Sequence, residues 1–199
     1  MVLAIVAIAY LLGSIPVGYI MCKVVAGKDV RDGGSGATGA TNVARRLGLK
    51  YAIVVSIFDI LKGVAAVVIA GVLAPEIDWI RGIAAVVAIL GHCFPVWIGF
   101  RGGKGINTAL GAALVIAPLA VAIALGGFVV TLLIKRFVSA GSLIAVIFFA
   151  ISVFVLGERI GVGNLDAKII AVAMPLIVFF THRKNIVRIF NGKELPPMK

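Results

Sequence analysis

The chain has 199 residues, 62% of them hydrophobic and only 14% charged, with a formal net charge of +11. A soluble domain carries roughly 25% charged residues, so these proportions exclude a water-facing globular surface. They also exclude the nucleic-acid partner that such a charge would suggest on a soluble protein. Cys22 and Cys93 are the only cysteines and no C-x-x-C spacing occurs, so free thiols are expected, with no disulfide framework or thiolate metal site.

Six apolar blocks are visible, at about 2–22, 51–73, 82–100, 106–134, 140–157 and 167–181. The first lacks the basic flank of a cleavable signal and is too long for a signal's apolar core. It predicts a retained membrane helix, bent at Pro16. The loop that follows, Gly27 to Lys50, is dense in Gly, Ser and Thr and carries Arg31, Arg45 and Arg46. Glycines let backbone amides approach an anion, hydroxyls add donors, and arginine forks match phosphate. The G-x-x-x-x-G-K-[ST] pattern is missing from it. The plainer alternative is a flexible linker holding topology-setting arginines. In the second block Asp59 and Lys62 stand three apart, so a structural ion pair orienting that helix is expected.

The third block ends in Gly99-Phe100-Arg101-Gly102-Gly103-Lys104-Gly105-Ile106-Asn107-Thr108. Four glycines around a lysine at the start of an apolar helix suit a phosphate, which the helix N-terminus favours. A tight turn between two spans is the alternative. The fourth block, Ile106 to Ile134, has 29 residues and no charge. As one helix it would be ~43 Å long against a hydrocarbon core of ~30 Å. Either it is one long tilted helix, or two shorter ones turning near Ala117-Pro118. After it comes a short basic turn, Lys135-Arg136, with Ser139 and Ser142 close behind, able to reach an anion or only to set topology. In the tail, Ile186, Ile189 and Phe190 fit one face of a short amphipathic helix, and His182 and Asn185 share another. Basic anchoring on anionic lipid accounts for part of this segment.

Charge placement decides the fourth block. With two helices there and the N-terminus outside, fifteen of the nineteen basic residues fall on the inner face: six from Lys23 to Lys50, then Arg101, Lys104, Lys135 and Arg136, then five from Arg183 to Lys199. Arg81, Arg159 and Lys168 stay outside with Glu76, Asp78, Glu158 and Asp166. A single helix would send Lys135-Arg136 and the tail outside, against the positive-inside rule. The expectation is an all-α polytopic membrane protein with seven transmembrane helices, N-terminus outside and C-terminus cytoplasmic. Residues 1–199 form a single membrane-embedded domain in this reading, without internal repeat, and the helix near 106–117 need not cross fully.

Three motifs on one face make the sequence resemble the bacterial membrane glycerol-3-phosphate acyltransferases that use acyl-phosphate as donor. They are Gly34-Ser35-Gly36-Ala37-Thr38-Gly39-Ala40-Thr41-Asn42-Val43-Ala44-Arg45, then Arg101-Gly102-Gly103-Lys104-Gly105, then His182-Arg183-Lys184-Asn185-Ile186 continuing to Gly192-Lys193-Glu194. Gly13 to Tyr19 and the Asp59/Lys62 pair with Gly63 are also similar to the family, and Ala37 departs from its usual Asn. The resemblance implies a seven-helix fold in the bacterial inner membrane with its site open to the cytoplasm. It implies transfer of an acyl chain from acyl-phosphate to the 1-hydroxyl of sn-glycerol 3-phosphate, giving lysophosphatidate and phosphate, the first acylation of phospholipid synthesis.

By resemblance and chemistry together, Ser35, Arg45 and Lys104 hold phosphate and stabilise charge developing at the carbonyl. His182 and Asn185 orient the glycerol. Gly36, Thr41, Asn42, Arg101, Ser142 and Glu194 contribute to substrate binding, and the amides of Gly102 and Gly103 cradle the acyl-phosphate head. The hydroxyl proton goes to His182, to Glu194 or to a substrate phosphate oxygen, the last being favoured, and Glu194 is alternatively an orienting group. A mixed anhydride is already activated, and no metal-ligand cluster or H-x-x-x-x-D motif is present, so no cofactor or metal is expected. The partners are the two substrates and the bilayer, with no nucleic acid and no evident need for an oligomer. A transporter or flippase for a phosphorylated solute also uses basic loops and intramembrane charge, though at the midplane and on internal repeats. A scaffold binding anionic lipid would explain the tail but not both glycine-rich loops.

Overall fold

The computed structural model describes residues 1–195, so Lys199, one of the basic residues assigned to the inner face, lies outside them. The described residues hold ten α-helices and no strand. Helices α1 (Val2–Ser14) and α2 (Val17–Ala26) form one apolar stretch interrupted at Ile15-Pro16, where proline has no N–H to continue the ladder. Gly27, at φ 67°, stops α2 in the left-handed conformation that glycine adopts without penalty. The glycine-rich loop follows, then the short basic helix α3 (Ala40–Leu47), which turns through Gly48 into α4 (Leu49–Leu73). α5 (Ile80–Cys93) ends in a short 3-10 turn at Val96–Ile98.

The uncharged fourth block is two helices. α6 (Ile106–Ile116) and α7 (Pro118–Lys135) meet at Ala117, with Pro118 in the first turn of α7, the position where its missing N–H costs least. α6 has 11 residues, ~16 Å of helix, about half the hydrocarbon thickness. α8 (Val138–Ile151) runs on through a π turn at Ser152–Leu156. α9 (Leu165–Thr181) and α10 (Arg183–Phe190) bend by 62° at His182. Five stretches are long and apolar enough to cross a bilayer, or six if the α9–α10 pair counts as one span.

Lipid offers no hydrophobic drive between helices, so close backbone approach through small residues has to hold them. α4 and α6 show how. A methyl group on Gly63 would overlap the Thr108 carbonyl, and one on Gly111 would overlap that of Ile60. The core among α5 to α9 is built largely of Ala85, Ala109, Ala112, Ala113, Ala120, Ala167 and Ala171 around Phe149. At the opposite end from the basic loops, Asp166 accepts from Gly82 N at 2.7 Å and Arg81 Nε at 2.8 Å, clamping α9 to α5. Large apolar side chains such as Leu3, Val72, Leu133, Ile134 and Leu176 stay exposed, as lipid-facing residues do.

Candidate active site

The three motifs converge. A polar cavity of about 140 Å³ is lined by Ser35, Thr41, Asn42 and Arg45 from the first, by Lys104 and Gly105 from the second, and by His182, Asn185 and Glu194 from the third. Ser139 and Ser142 of α8 close one wall, and Ile106 and Asn107 bring the positive end of α6 to another.

The first motif folds around Asn42. Its buried amide nitrogen donates to the carbonyls of Val30 and Ala37, both at 2.9 Å, and of Gly33 at 3.1 Å, while its oxygen accepts from Ser35 N at 2.9 Å. Gly34 and Gly36 take left-handed backbone angles to make these turns. Asn42, expected to bind substrate, therefore spends its side chain on shaping the loop that presents Ser35. Gly36 lies outside the cavity lining, its amide bonded to Gly33 O at 3.2 Å. Arg31, paired with Asp29, donates to Ile98 O at 2.8 Å and ties this loop to the second.

The second motif corrects two further expectations. The amides of Gly102 and Gly103 are committed to Cys93 O at 3.1 Å and His92 O at 3.0 Å, so they do not cradle an acyl-phosphate head. These glycines serve close packing, since a methyl group on either would overlap His92. Arg101 is exposed and lies outside the lining. Lys104 is the residue this loop delivers. Its Nζ donates to Asn185 Oδ1 at 2.5 Å, and its carbonyl accepts from Thr181 Oγ1 at 3.2 Å.

In the third motif, His182 Nδ1 bonds to Val178 O at 2.9 Å. A carbonyl only accepts, so Nδ1 carries the proton and Nε2 remains an acceptor. Asn185 faces two ways, accepting from Lys104 and donating to Glu194 Oε1 at 2.6 Å. Glu194 also accepts from Ser139 Oγ at 3.0 Å and from Arg188 Nε at 3.0 Å. Its carboxylate is thus the orienting group of the two roles considered. Burial raises its affinity for a proton, but the bonds from Arg188, Asn185 and Ser139 outweigh this and hold it below the usual carboxylate range. Burial pushes the Lys104 amine down to about 8, against the pull of Glu194 and with the help of Arg188 and Arg45. An anion entering beside Arg45 and Lys104 would relieve that cost.

Sequence reasoning gave no site role to Arg188 or His92, took Asp59 only as half of an ion pair, and left Ser139 between reaching an anion and setting topology. Ser139 and Arg188 anchor Glu194; Asp59 and His92 line the cavity floor. The available signals were the intramembrane charge of Asp59 and the place of Ser139 beside the basic turn. A second cavity, of about 210 Å³ and almost wholly apolar, shares Ile106, Asn107, Phe128 and Ser142 with the first. It runs among α6, α7, α8 and α9 past Ala113, Ala124, Phe149 and Met174. A cationic cavity beside an apolar one suits an amphiphile with an anionic head.

The whole chain has relatives that match this architecture. The family model described as glycerol-3-phosphate acyltransferase matches residues 3–192. A glycerol-3-phosphate acyltransferase of Synechococcus elongatus is 42% identical, over 97% of this chain and 93% of its own. That of Halalkalibacterium halodurans is also 42% identical, over 94% and 90%. Among solved structures, PlsY (YgiH), an integral membrane glycerol 3-phosphate acyltransferase, superposes in its glycerol 3-phosphate form with a TM-score of 0.90 and 36% identity, covering 98% of this chain and 94% of that one. Its lysophosphatidic acid form gives a TM-score of 0.85 at 34% identity over the same shares. With likeness of sequence and of fold both running nearly end to end, this chain belongs to the glycerol-3-phosphate acyltransferase family and is an acyltransferase.

Proposed function

We propose that the protein transfers an acyl chain from acyl-phosphate to the 1-hydroxyl of sn-glycerol 3-phosphate, releasing lysophosphatidate and inorganic phosphate as the first acylation of phospholipid synthesis. The observation that carries this reading is the adjacency of the two cavities across Ile106, Asn107, Phe128 and Ser142. An acyl-phosphate has a charged head and an apolar tail, and the boundary between them is its reactive carbonyl. The tail lies in the apolar cavity, which places the carbonyl beside Ser142 and the phosphate beside Arg45 and Lys104. The solved neighbour's glycerol 3-phosphate and lysophosphatidic acid forms support the acceptor and the product.

In the reaction the hydroxyl oxygen attacks the carbonyl carbon, the carbon–oxygen bond to phosphate breaks, and the hydroxyl proton leaves on the departing phosphate. Arg45 and Lys104 hold the phosphates and offset the charge that grows on the carbonyl oxygen and the leaving group. The hydroxyls of Ser35 and Thr41 add donors. His182 accepts the acceptor hydroxyl's hydrogen bond at Nε2 and so aligns it. Asn185 aims Lys104, under the hold of Glu194. The protein works as a monomeric single domain of seven membrane helices, α6 being incomplete, in the bacterial inner membrane, with its N-terminus outside and its site facing the cytoplasm.

Purified protein given acyl-phosphate and glycerol 3-phosphate should release phosphate only when both are present. Phosphate release without an acceptor, or passage of glycerol 3-phosphate across sealed vesicles without acylation, would replace this reading with a hydrolase or a transporter.

A further inference from the structure

Asp59, Lys62 and His92 form a buried charged cluster beneath the polar cavity. Lys62 Nζ lies 2.9 Å from Asp59 Oδ1 and donates to the Ile15 carbonyl at the α1–α2 break, at 3.0 Å. His92 Nδ1 lies 3.5 Å from the same Asp59 oxygen. Ionisable groups at such depth are retained when they pair and serve function. Asp59 and His92 line the cavity together with Lys104 and His182, yet neither belongs to the three motifs.

The cluster reaches the second motif through His92. The His92 carbonyl accepts the Gly103 amide at 3.0 Å, and the neighbouring Cys93 carbonyl accepts that of Gly102 at 3.1 Å. The imidazole Nε2 edge sits directly under Gly103, where any side chain at that position would strike it. Gly102 O in turn accepts from Thr38 N at 3.3 Å, which passes the placement on to the first loop. Lys104 is the next residue. With Nδ1 turned to Asp59 and Nε2 covered by Gly103, the ring is built to support a loop.

We propose that Asp59 and His92 are positioning residues of the acyl transfer: Asp59 fixes the imidazole, and the imidazole sets the height of the Arg101–Gly105 loop and so the aim of Lys104. The proposal rests on the acyltransferase reading above. It differs from the expected ion pair of α4, because the partner that matters lies on α5 and the load is the loop. Charged and titratable groups around Lys104 come from every neighbouring element: Asp59 on α4, His92 on α5, Arg45 on α3, His182 at the α9–α10 bend, Arg188 on α10 and Glu194 in the tail.

The test is a double-mutant cycle read by kinetics and by binding. His92→Ala removes the support from below, and Gly103→Ala disturbs the same contact from the loop while leaving the Asp59–Lys62 pair intact. Each should lower kcat/KM for glycerol 3-phosphate tenfold or more, in kcat as well as KM, and shift its alkaline limb upward, as Lys104 loses its desolvated place. The double variant should be no worse than the worse single one, since both act on one contact. His92→Gln, which keeps a polar head toward Asp59, should recover part of the loss. Titration calorimetry with glycerol 3-phosphate and no donor should show the same order of weakening, independently of transfer. Additive losses, an unmoved alkaline limb, or near-wild-type kinetics in both single variants would overturn the proposal. Should the wild type bind glycerol 3-phosphate but transfer no acyl group, the functional reading fails, while the binding order still decides whether His92 seats the loop.

Discussion

Lys104 carries the sharpest expectation at the scale of single residues. It protrudes from a glycine turn and meets Asn185 at its tip, so its removal leaves no apolar gap. Lys104→Ala should cost ~2–4 kcal/mol of transition-state stabilisation, the range for loss of a key charge-stabilising donor, or roughly thirty- to a thousand-fold in rate. Lys135→Ala, at a basic residue on the same face but outside the cavity, should stay near wild type in rate and melting temperature. Equal activity in both variants would reduce Lys104 to a topology charge. The pH profile makes a second demand. Lys104 ionises near 8, so it loses its charge, and kcat/KM of the free enzyme falls, as pH rises through that value. Its folded pKa lies below the ordinary 10.5, so the unfolded chain binds the extra proton between about 8 and 10.5, and this group's contribution to stability rises across the same window. Activity should therefore fall while melting temperature does not follow it down. Parallel loss of the two would assign the limb to unfolding. In Lys104→Arg the limb should vanish from the accessible range, with only partial rescue of rate, because a planar fork does not replace a point donor in a tight turn.

Block lengths and Pro118 were enough to break the fourth block into α6 and α7, because a charge-free stretch of that length exceeds the bilayer and charge placement disfavoured a single span. Motif positions were enough to bring Ser35, Arg45, Lys104, His182 and Asn185 to one cavity. Backbone bookkeeping was out of reach. That Gly102 and Gly103 spend their amides on α5, and that Asn42 knots its own loop, depends on carbonyl directions that no spacing encodes. The same holds for Ser139, a serine among several until Glu194 folds back onto it. The orientation of the helices is open to a direct check. Single cysteines at Lys28, Arg101 and Lys193, all exposed, should react with an impermeant reagent only from the cytoplasmic side, and one at Glu76 only from the outer side. Cys22 and Cys93 are buried and should stay silent as background. Outer labelling at any of the first three would break the shared-face arrangement.

Taken whole, the molecule places a charged reaction site against a greasy slot, and the slot should measure the substrate. Ala113 on α6 and Ala124 on α7 line it from facing helices. Ala113→Phe or Ala124→Leu should shift preference toward shorter acyl-phosphates, with kcat/KM for long chains falling tenfold or more while short chains stay within about threefold. An unchanged chain-length profile in both variants would place the tail elsewhere, such as directly in lipid. No ligand cluster in the sequence calls for a metal, so full activity in excess chelator is expected. Loss of rate that one divalent ion restores would contradict this.

Glu194 reaches back to Ser139, and through Asn185 to Lys104, so the cavity joins residues separated by 55 and 81 positions along the chain. A ribosome delivers Lys104 and Ser139 long before it delivers Glu194. Each apolar stretch can enter the membrane as it emerges, yet the cation in the second motif waits for its aim until the last turn of α10 and the segment beyond it have been made. Integration into the bilayer and acquisition of catalysis are therefore expected to be separable. A chain halted at Asn191 should insert with full topology and show no transfer activity, and activity in such a chain would show that Glu194 is dispensable.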